Sequence, residues 1–205
     1  MDGKKKSKIL ESNLWRELKQ GDRTAFNSII RSHYQLLFNY GCKISKDQSL
    51  VEDCIQELFI YLWEHRDTLA DVNVVRAYLI KSLRRRVINQ LSTKDQKLVD
   101  RVENFAAETK GNFFSFSHEK FLIDNENNKA VQEKLKAAIS NLPDRQREAI
   151  YLKYYSGLSY EEIAQVMDME KQSVANVLRR ALLSLRTLFS LFVPMVFRYL
   201  NQTQA

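Results

Sequence analysis

The stretch from Ser159 to Arg186 restricts the fold of this chain more than any other, because it reads as two helices joined by a tight turn. Ser159 followed by Glu162 fits a capping box, in which the hydroxyl accepts from one orphan backbone N–H and the carboxylate reaches back to another. Gly157 stands where a left-handed residue would end the preceding helix. Ile163, Ala164, Val166 and Met167 give the first helix an apolar side, and Asp168-Met169 makes the turn. Val174, Leu178, Ala181, Leu185 and Leu188 recur at steps of three or four, so the second helix buries one face. Its opposite face carries Gln172, Ala175, Asn176 and Arg179, flanked by Lys171 and Arg180.

A small alanine on the first helix, a short turn and a valine early in the second suit the close packing of a helix-turn-helix. The second helix of such a unit enters the major groove with its N-terminal residues toward base edges. Glutamine and asparagine pair with adenine there, and lysine or arginine with guanine or phosphate. An ordinary helical hairpin with a solvated polar face fits the same spacing, so both readings stand at this point.

Five glycines and two prolines in 205 residues, with 28% charged residues, favour helices over a turn-rich β protein, and the length allows one or two domains. A net charge of +7 favours an anionic partner. Cys42 and Cys54 have neither metal-ligand spacing nor a disulfide framework, so no metal or cofactor is expected and a reducing cytoplasm is the simplest compartment. Lys4, Lys5, Lys6 and Lys8 precede Ile9-Leu10, but Glu11 and Arg16 interrupt the apolar run, so no signal peptide is expected. The apolar run that begins at Leu188 is shorter than the about 20 residues that cross a bilayer. A soluble protein without membrane insertion is expected.

Residues 12–40 hold two helical patterns broken at Gly21-Asp22. Asp22 can cap the second, where Phe26, Ile29, Ile30, Tyr34, Leu37 and Phe38 keep helical spacing, and Gly41 is expected to stop it. His33 reads as a helix-surface residue rather than a ligand, since no second ligand follows at i+4. A helix from about Ser49 to His65 buries Val51, Cys54, Ile55, Leu58 and Leu62, and turns Asp53, Gln56, Glu57, Ile60 and Glu64 outward. An acidic face with an isoleucine at its centre suits docking to a basic protein partner, whereas a solvated face accounts for the carboxylates alone. Acid–base catalysis there lacks an accompanying histidine, metal spacing or glycine-rich loop.

After a loop at 67–74, a helix from Val75 to about Thr93 buries Leu79, Ile80, Leu83, Val87 and Leu91. Its other side holds Tyr78, Lys81, Arg85, Asn89 and Ser92, with Arg84 and Arg86 on the flanks. Cations with an aromatic ring suit a nucleic-acid backbone and unstacked bases, and a solvated basic helix suits the same residues. From about Lys94 to Asn128 the periodicity fades and acidic residues gather, as in a linker long enough to argue for two domains. Phe113, Phe114, Phe116 and Phe121 make it more aromatic than a spacer requires. A helix over 129–142 ends before Pro143, and Pro143-Asp144 opens another, with Ala149, Ile150 and Leu152 inward and Arg145, Arg147 and Lys153 available to phosphates.

Together these stretches resemble a sigma factor of the sigma-70 superfamily, of the small two-domain extracytoplasmic-function (ECF) type, over nearly all of residues 12–187 apart from the linker. Asp22-Arg-Thr-Ala-Phe through Tyr34 is similar to region 2.1, and Val51-Glu-Asp-Cys-Ile-Gln-Glu-Leu-Phe-Ile-Tyr-Leu-Trp to region 2.2. Leu142-Pro-Asp-Arg-Gln-Arg-Glu-Ala-Ile-Tyr-Leu, then Gly-Leu-Ser-Tyr-Glu-Glu-Ile-Ala, then Ser173-Val and Arg180-Ala-Leu-Leu-Ser-Leu-Arg186, resemble region 4. Their order and separation carry more specificity than any one of them.

The resemblance implies an all-α protein of two small helical domains that binds core RNA polymerase and directs promoter-specific initiation, with no catalysis and no cofactor of its own. Residues 1–95 would be the region 2 domain, 96–128 the linker, and 129–205 the region 4 helix-turn-helix domain with an apolar C-terminal tail. Asp53, Gln56, Glu57 and Ile60 would dock on the clamp helices of the polymerase β′ subunit, and the second domain would meet the β flap. Tyr78, Lys81, Arg84, Arg85 and Asn89 would contact the −10 element of promoter DNA. Lys171, Gln172, Ser173, Asn176, Arg179 and Arg180 would contact the −35 element. The linker would thread toward the polymerase active-site and RNA-exit channel, and an anti-sigma protein is the implied regulator.

The chain departs from the family pattern at Arg85, where Asn is usual, at Asn89 for Asp and at Ser92 for Arg. Asp168 stands where Gly is frequent, and Glu170 where a small capping residue is usual. The rival reading is a helix-turn-helix transcriptional regulator that acts without core polymerase, as a symmetric dimer on duplex DNA. The acidic face at 53–64 speaks against it. A polymerase-binding adaptor that touches no DNA is a second rival.

Overall fold

The computed structural model describes the backbone of residues 2–96 and 129–202, with side chains over 9–93 and 135–186. The expected linker, with its four phenylalanines, therefore lies outside the described residues but for its first position. Every described element is helical, in the order α1 (Asp2–Lys19), α2 (Arg23–Ile44), α3 (Gln48–Glu64), α4 (Val75–Gln96), α5 (Lys129–Ser140), α6 (Asp144–Ile150), α7 (Tyr160–Val166) and α8 (Lys171–Gln202). A π-helical turn, Tyr151–Tyr155, continues α6. The all-α expectation holds, with no strand among the described residues.

Local chemistry sets the helix ends. Gly21 takes a φ of +88°, which a side chain disfavours, and reverses the chain after α1. Asp22 then caps α2, its carboxylate accepting from the backbone N–H groups of Thr24 and Ala25 at 2.6 and 3.1 Å. Asp47 does the same for α3 through the Leu50 N–H at 3.1 Å. The bundle of α1–α4 buries Leu18, Ile29, Leu37, Ile55, Leu58, Leu62, Leu79, Leu83 and Val87. The Trp15 indole donates to the Ala70 carbonyl at 3.1 Å, which ties the 67–74 loop to α1.

Two expectations need correction here. Gly41 does not end α2, which continues to Ile44. It lies where α2 meets α3, and a Cβ there would fall 2.5 Å from Cγ1 of Val51, so its role is close packing rather than termination. His33 is not a surface residue but 3% exposed, with Nδ1 3.0 Å from the Ile29 carbonyl oxygen. The polar ring fits inside because that bond satisfies one nitrogen and the Glu11 carboxylate stands 3.9 Å from the other.

In the second half the capping box forms as read. Glu162 N–H donates to Ser159 Oγ at 3.2 Å and Ser159 N–H donates to Glu162 Oε2 at 2.8 Å. Gly157, at φ +68°, supplies the left-handed residue before it. Asp168 makes the α7–α8 turn at φ +50°, the one non-glycine residue with positive φ among those described. Val174, Leu178 and Ala181 of α8 are buried against α6 and α7. The helix then runs on to Gln202, so the apolar stretch 188–200 is a continuation of α8.

The two groups of helices pack on each other. α4 lies against α7, and the buried apolar cluster is continuous from Trp15 to Ala181. Tyr40 of α2 and Tyr151 of the π turn meet at its centre, with ring centroids 6.1 Å apart.

Candidate nucleic-acid and protein interfaces

α4 is apolar on one side and cationic on the other, and Arg76, Lys81, Arg84 and Arg85 meet the second half of the chain. Arg84 Nε donates to Glu148 Oε1 at 2.8 Å, and the buried Tyr40 hydroxyl donates to the same oxygen at 2.7 Å. Burial opposes the charge on Arg84, but the Glu148 carboxylate outweighs it and holds the guanidinium more firmly protonated than usual. Burial and the same carboxylate push the Tyr40 hydroxyl well above the ordinary tyrosine range. One helical turn away, Lys81 Nζ lies 2.6 Å from Asp168 Oδ1 and Arg85 Nη2 lies 3.3 Å from it. The Lys81 ammonium, hydrogen-bonded to Asp168, holds that carboxyl below its usual range. Arg76 completes the row, donating to the Ser156 carbonyl at 3.0 Å.

The five candidates on α4 are thus not equivalent. Lys81, Arg84 and Arg85 converge with Asp168 and Glu148. Tyr78 is half-buried with its ring edge-on to Trp15, centroids 5.2 Å apart. Asn89 stands exposed beyond the cluster.

The start of α8 has an open face. Lys171, Gln172, Ser173, Asn176, Arg179 and Arg180 are all exposed, while Val174 and Leu178 fix the opposite side in the core. Lys171 Nζ sits 2.5 Å from Glu161 Oε1 of α7, and this bond draws the Glu161 carboxyl down to about 2. Arg147 and Lys153, expected to face phosphates, do not. Arg147 is buried, donating to the Ser140 carbonyl at 3.0 Å and paired with Asp144. Lys153 donates to the Leu158 carbonyl at 3.3 Å and lies over the Tyr160 ring. Both brace the turns around α6, because the Ser140 carbonyl at the end of α5 and the Leu158 carbonyl in the loop before α7 lie within reach of these long side chains.

A third surface is the outer face of α3. Asp53, Gln56, Glu57 and Ile60 are all exposed, Ile60 by 57%. Arg86 of α4 reaches Glu57 at 3.7 Å and stacks over the Tyr61 ring at 5.3 Å. Tyr61, 41% exposed, therefore extends the apolar spot at Ile60, an extension that helical spacing alone did not select. Glu148 was likewise absent from the residues singled out by sequence, and Asp168 was singled out only as a turn residue and a departure from the family pattern. Their importance comes from a contact between distant parts of the chain.

Residues 29–97 match the family described as Sigma-70 region 2, and residues 132–185 match Sigma-70, region 4. The chain is similar to the ECF RNA polymerase sigma factor SigK of Mycobacterium ulcerans, at 23% identity over 84% of this chain and 90% of that one. It is 27% identical to the ECF RNA polymerase sigma-E factor of Haemophilus influenzae, over 84% of this chain and 92% of that one. In fold it resembles CnrH, solved in complex with the cytosolic domain of CnrY, with a TM-score of 0.57, 18% identity, and coverage of 88% of this chain and 97% of that one. It also resembles the sigma factor RpoE of Bartonella quintana, solved with the anti-sigma factor NepR, with a TM-score of 0.55, 21% identity, and coverage of 80% and 96%.

Proposed function

This chain belongs to the sigma-70 family of RNA polymerase sigma factors, of the ECF type, and from that premise we propose how its surfaces divide the work. Residues 1–95 bind core polymerase and the −10 element, 96–128 form a linker, and 129–205 bind the −35 element. Asp53, Gln56, Glu57 and Ile60 dock on the clamp helices of β′, with Tyr61 widening the apolar centre. Lys81, Arg84, Arg85, Tyr78 and Asn89 meet the −10 strand. Lys171, Gln172, Ser173, Asn176, Arg179 and Arg180 meet the −35 duplex, and the same domain meets the β flap. The protein catalyses nothing itself and works in the cytoplasm; none of its described helices is long and apolar enough to cross a membrane.

The mechanism is differential binding. Contacts made only with the unpaired −10 strand lower the free energy of the open promoter and leave that of the duplex unchanged, so initiation follows wherever both elements are present. The two structural neighbours named above were solved with CnrY and with an anti-sigma factor, which supports an anti-sigma protein as the regulator here. The observation that carries the reading is that one chain holds both matched regions in order, with an acidic apolar-centred face on α3 and an open polar face on α8. A regulator acting without polymerase has no use for the first of these.

The test is transcription by bacterial core polymerase on a fragmented genomic library, with and without this protein. New start sites preceded by a shared pair of motifs are expected. Binding of the isolated protein to palindromic duplex sites, with no new starts, would transfer the chain to the regulator class.

A further inference from the structure

We propose that Asp168 is a latch: in the free protein its carboxylate occupies the Lys81 and Arg85 cations that the −10 strand would otherwise engage, so that the chain rests in a closed, DNA-masked form. The proposal rests on the reading of α4 as a nucleic-acid face. Its basis is positional. Lys81 and Arg85 are one turn apart on α4, and both reach the same carboxylate, at 2.6 and 3.3 Å. Arg84, between them in sequence, is held by Glu148 at 2.8 Å. Three cations of one helix face thus engage two carboxylates from the other half of the chain, in the manner in which they would engage phosphates.

The backbone supports the same reading. Asp168 takes a φ of +50°, a conformation that glycine adopts freely and that other side chains resist. Aspartate tolerates it better than most, and the turn places its carboxylate over α4.

The two anchors differ in depth. Glu148 is buried, its side chain 9% exposed, whereas Asp168 and Arg85 are 48% and 61% exposed. The Asp168 contacts are therefore the part that salt and a competing polyanion reach first. Opening there frees two cations at once, and a strand that binds them prevents reclosure. Apparent affinity for nucleic acid is the intrinsic affinity reduced by the fraction of open chains.

The test uses the full chain in two arms. A water-soluble carbodiimide joins amines to carboxylates only where they touch, and mass spectrometry of the treated free protein is expected to find Lys81 coupled to Asp168. A 20-nucleotide oligothymidylate, a sequence-neutral phosphate backbone, should suppress that coupling. In the second arm, fluorescence anisotropy with the same oligonucleotide should show Asp168→Asn binding about fivefold tighter than the native chain. Asparagine keeps the left-handed turn and removes only the charge. Glu170→Gln removes an equal charge two residues away from a side chain with no ion pair to α4 among the described residues, and should gain less than about twofold. Absence of the coupled pair, its persistence at saturating oligonucleotide, or equal gains from the two variants would each overturn the latch. None of these outcomes bears on the polymerase assay, so failure of the latch and failure of the sigma-factor reading are separable.

Discussion

Arg84 and Glu148 join the two halves of the chain through a bond of 2.8 Å between residues 64 apart in sequence. Because Tyr40 donates to the same carboxylate oxygen, one acidic group satisfies a half-buried cation and a buried hydroxyl. Removing it takes this shared carboxylate from both. Glu148→Ala should therefore lower the unfolding free energy by about 3 kcal/mol in urea titrations at neutral pH. The double change Arg84→Met with Glu148→Leu should recover the part of that loss that the uncompensated cation causes, leaving only the cost of taking this acceptor from the Tyr40 hydroxyl. If the double variant is as unstable as the single, the loss comes from packing rather than from charge.

Gly41 and Val51 give a second test. A methyl group added at Gly41 meets Val51 Cγ1 at 2.5 Å, inside the α2–α3 contact. Gly41→Ala is expected to destabilise by about 1–3 kcal/mol despite alanine's better helix propensity, because overpacking outweighs the propensity gain. Adding Val51→Ala should relieve part of the clash, and a thermal double-mutant cycle reads that coupling directly. Simple additivity would mean the two helices separate instead of clashing.

Much of this architecture could be read from the sequence because it is written locally. The capping box at Ser159 and Glu162, the cap at Asp22, and the apolar stripes of α3 and α4 each depend on residues within a turn or two of one another. What escaped depends on distance in the chain. Gly41 looked like a stop because its neighbour across the helix interface is ten residues away on another element. His33 looked exposed because its Glu11 partner is on α1. Arg147 looked available because the Ser140 carbonyl that holds it belongs to a different helix. The same limit applied to Arg85 and Asp168. Each stood out alone as a departure from the sigma-70 pattern, and only the fold brings the two departures into one ion pair. The exposed faces on α3 and α8 were legible as faces, since helical periodicity assigns them, but Tyr61 was hidden behind the buried stripe beside it.

The burial of His33 makes stability depend on pH. Desolvation lowers its pKa below the ordinary 6.5, against the opposing pull of the Ile29 carbonyl and Glu11. A depressed folded-state pKa means that the unfolded chain binds the proton first as pH falls. Stability is therefore complete above 6.5 and declines as the pH drops below it, until the folded form also protonates. Chemical denaturation between pH 7.5 and about pH 5 should show this decline, and His33→Gln should flatten it. An unchanged slope in the glutamine variant would place the proton uptake elsewhere.

For the face of α3, the variant with Gln56→Ala and Glu57→Ala should lose about tenfold in affinity for core polymerase, measured by competition with a labelled sigma factor. Ile60→Ala should weaken it independently, as an apolar centre ringed by polar groups does. Stability should hardly move, because the Glu57–Arg86 pair is long, at 3.7 Å, with Glu57 half exposed, and such pairs contribute about 1 kcal/mol or less. A loss of core binding without unfolding isolates the docking face. Unchanged core binding removes it.

At the start of α8 the chemistry of two exposed residues separates base reading from backbone anchoring. Asn176 offers an acceptor and a donor that match adenine, a pairing worth about 1–3 kcal/mol of discrimination. Arg179, one turn-fraction further along the same face, carries a charge that any phosphate satisfies equally. Asn176→Ala should therefore change the preferred base at one position of the −35 element and leave the salt dependence of binding intact. Arg179→Ala should weaken all −35 sequences nearly uniformly and reduce the slope of log affinity against log salt by about one. Selection from a randomised −35 library in the presence of core polymerase, repeated at two salt concentrations, measures both quantities at once. If the Asn176 variant returns the native preference, that side chain makes no base contact and the reading passes to Gln172 and Lys171, nearer the helix N-terminus.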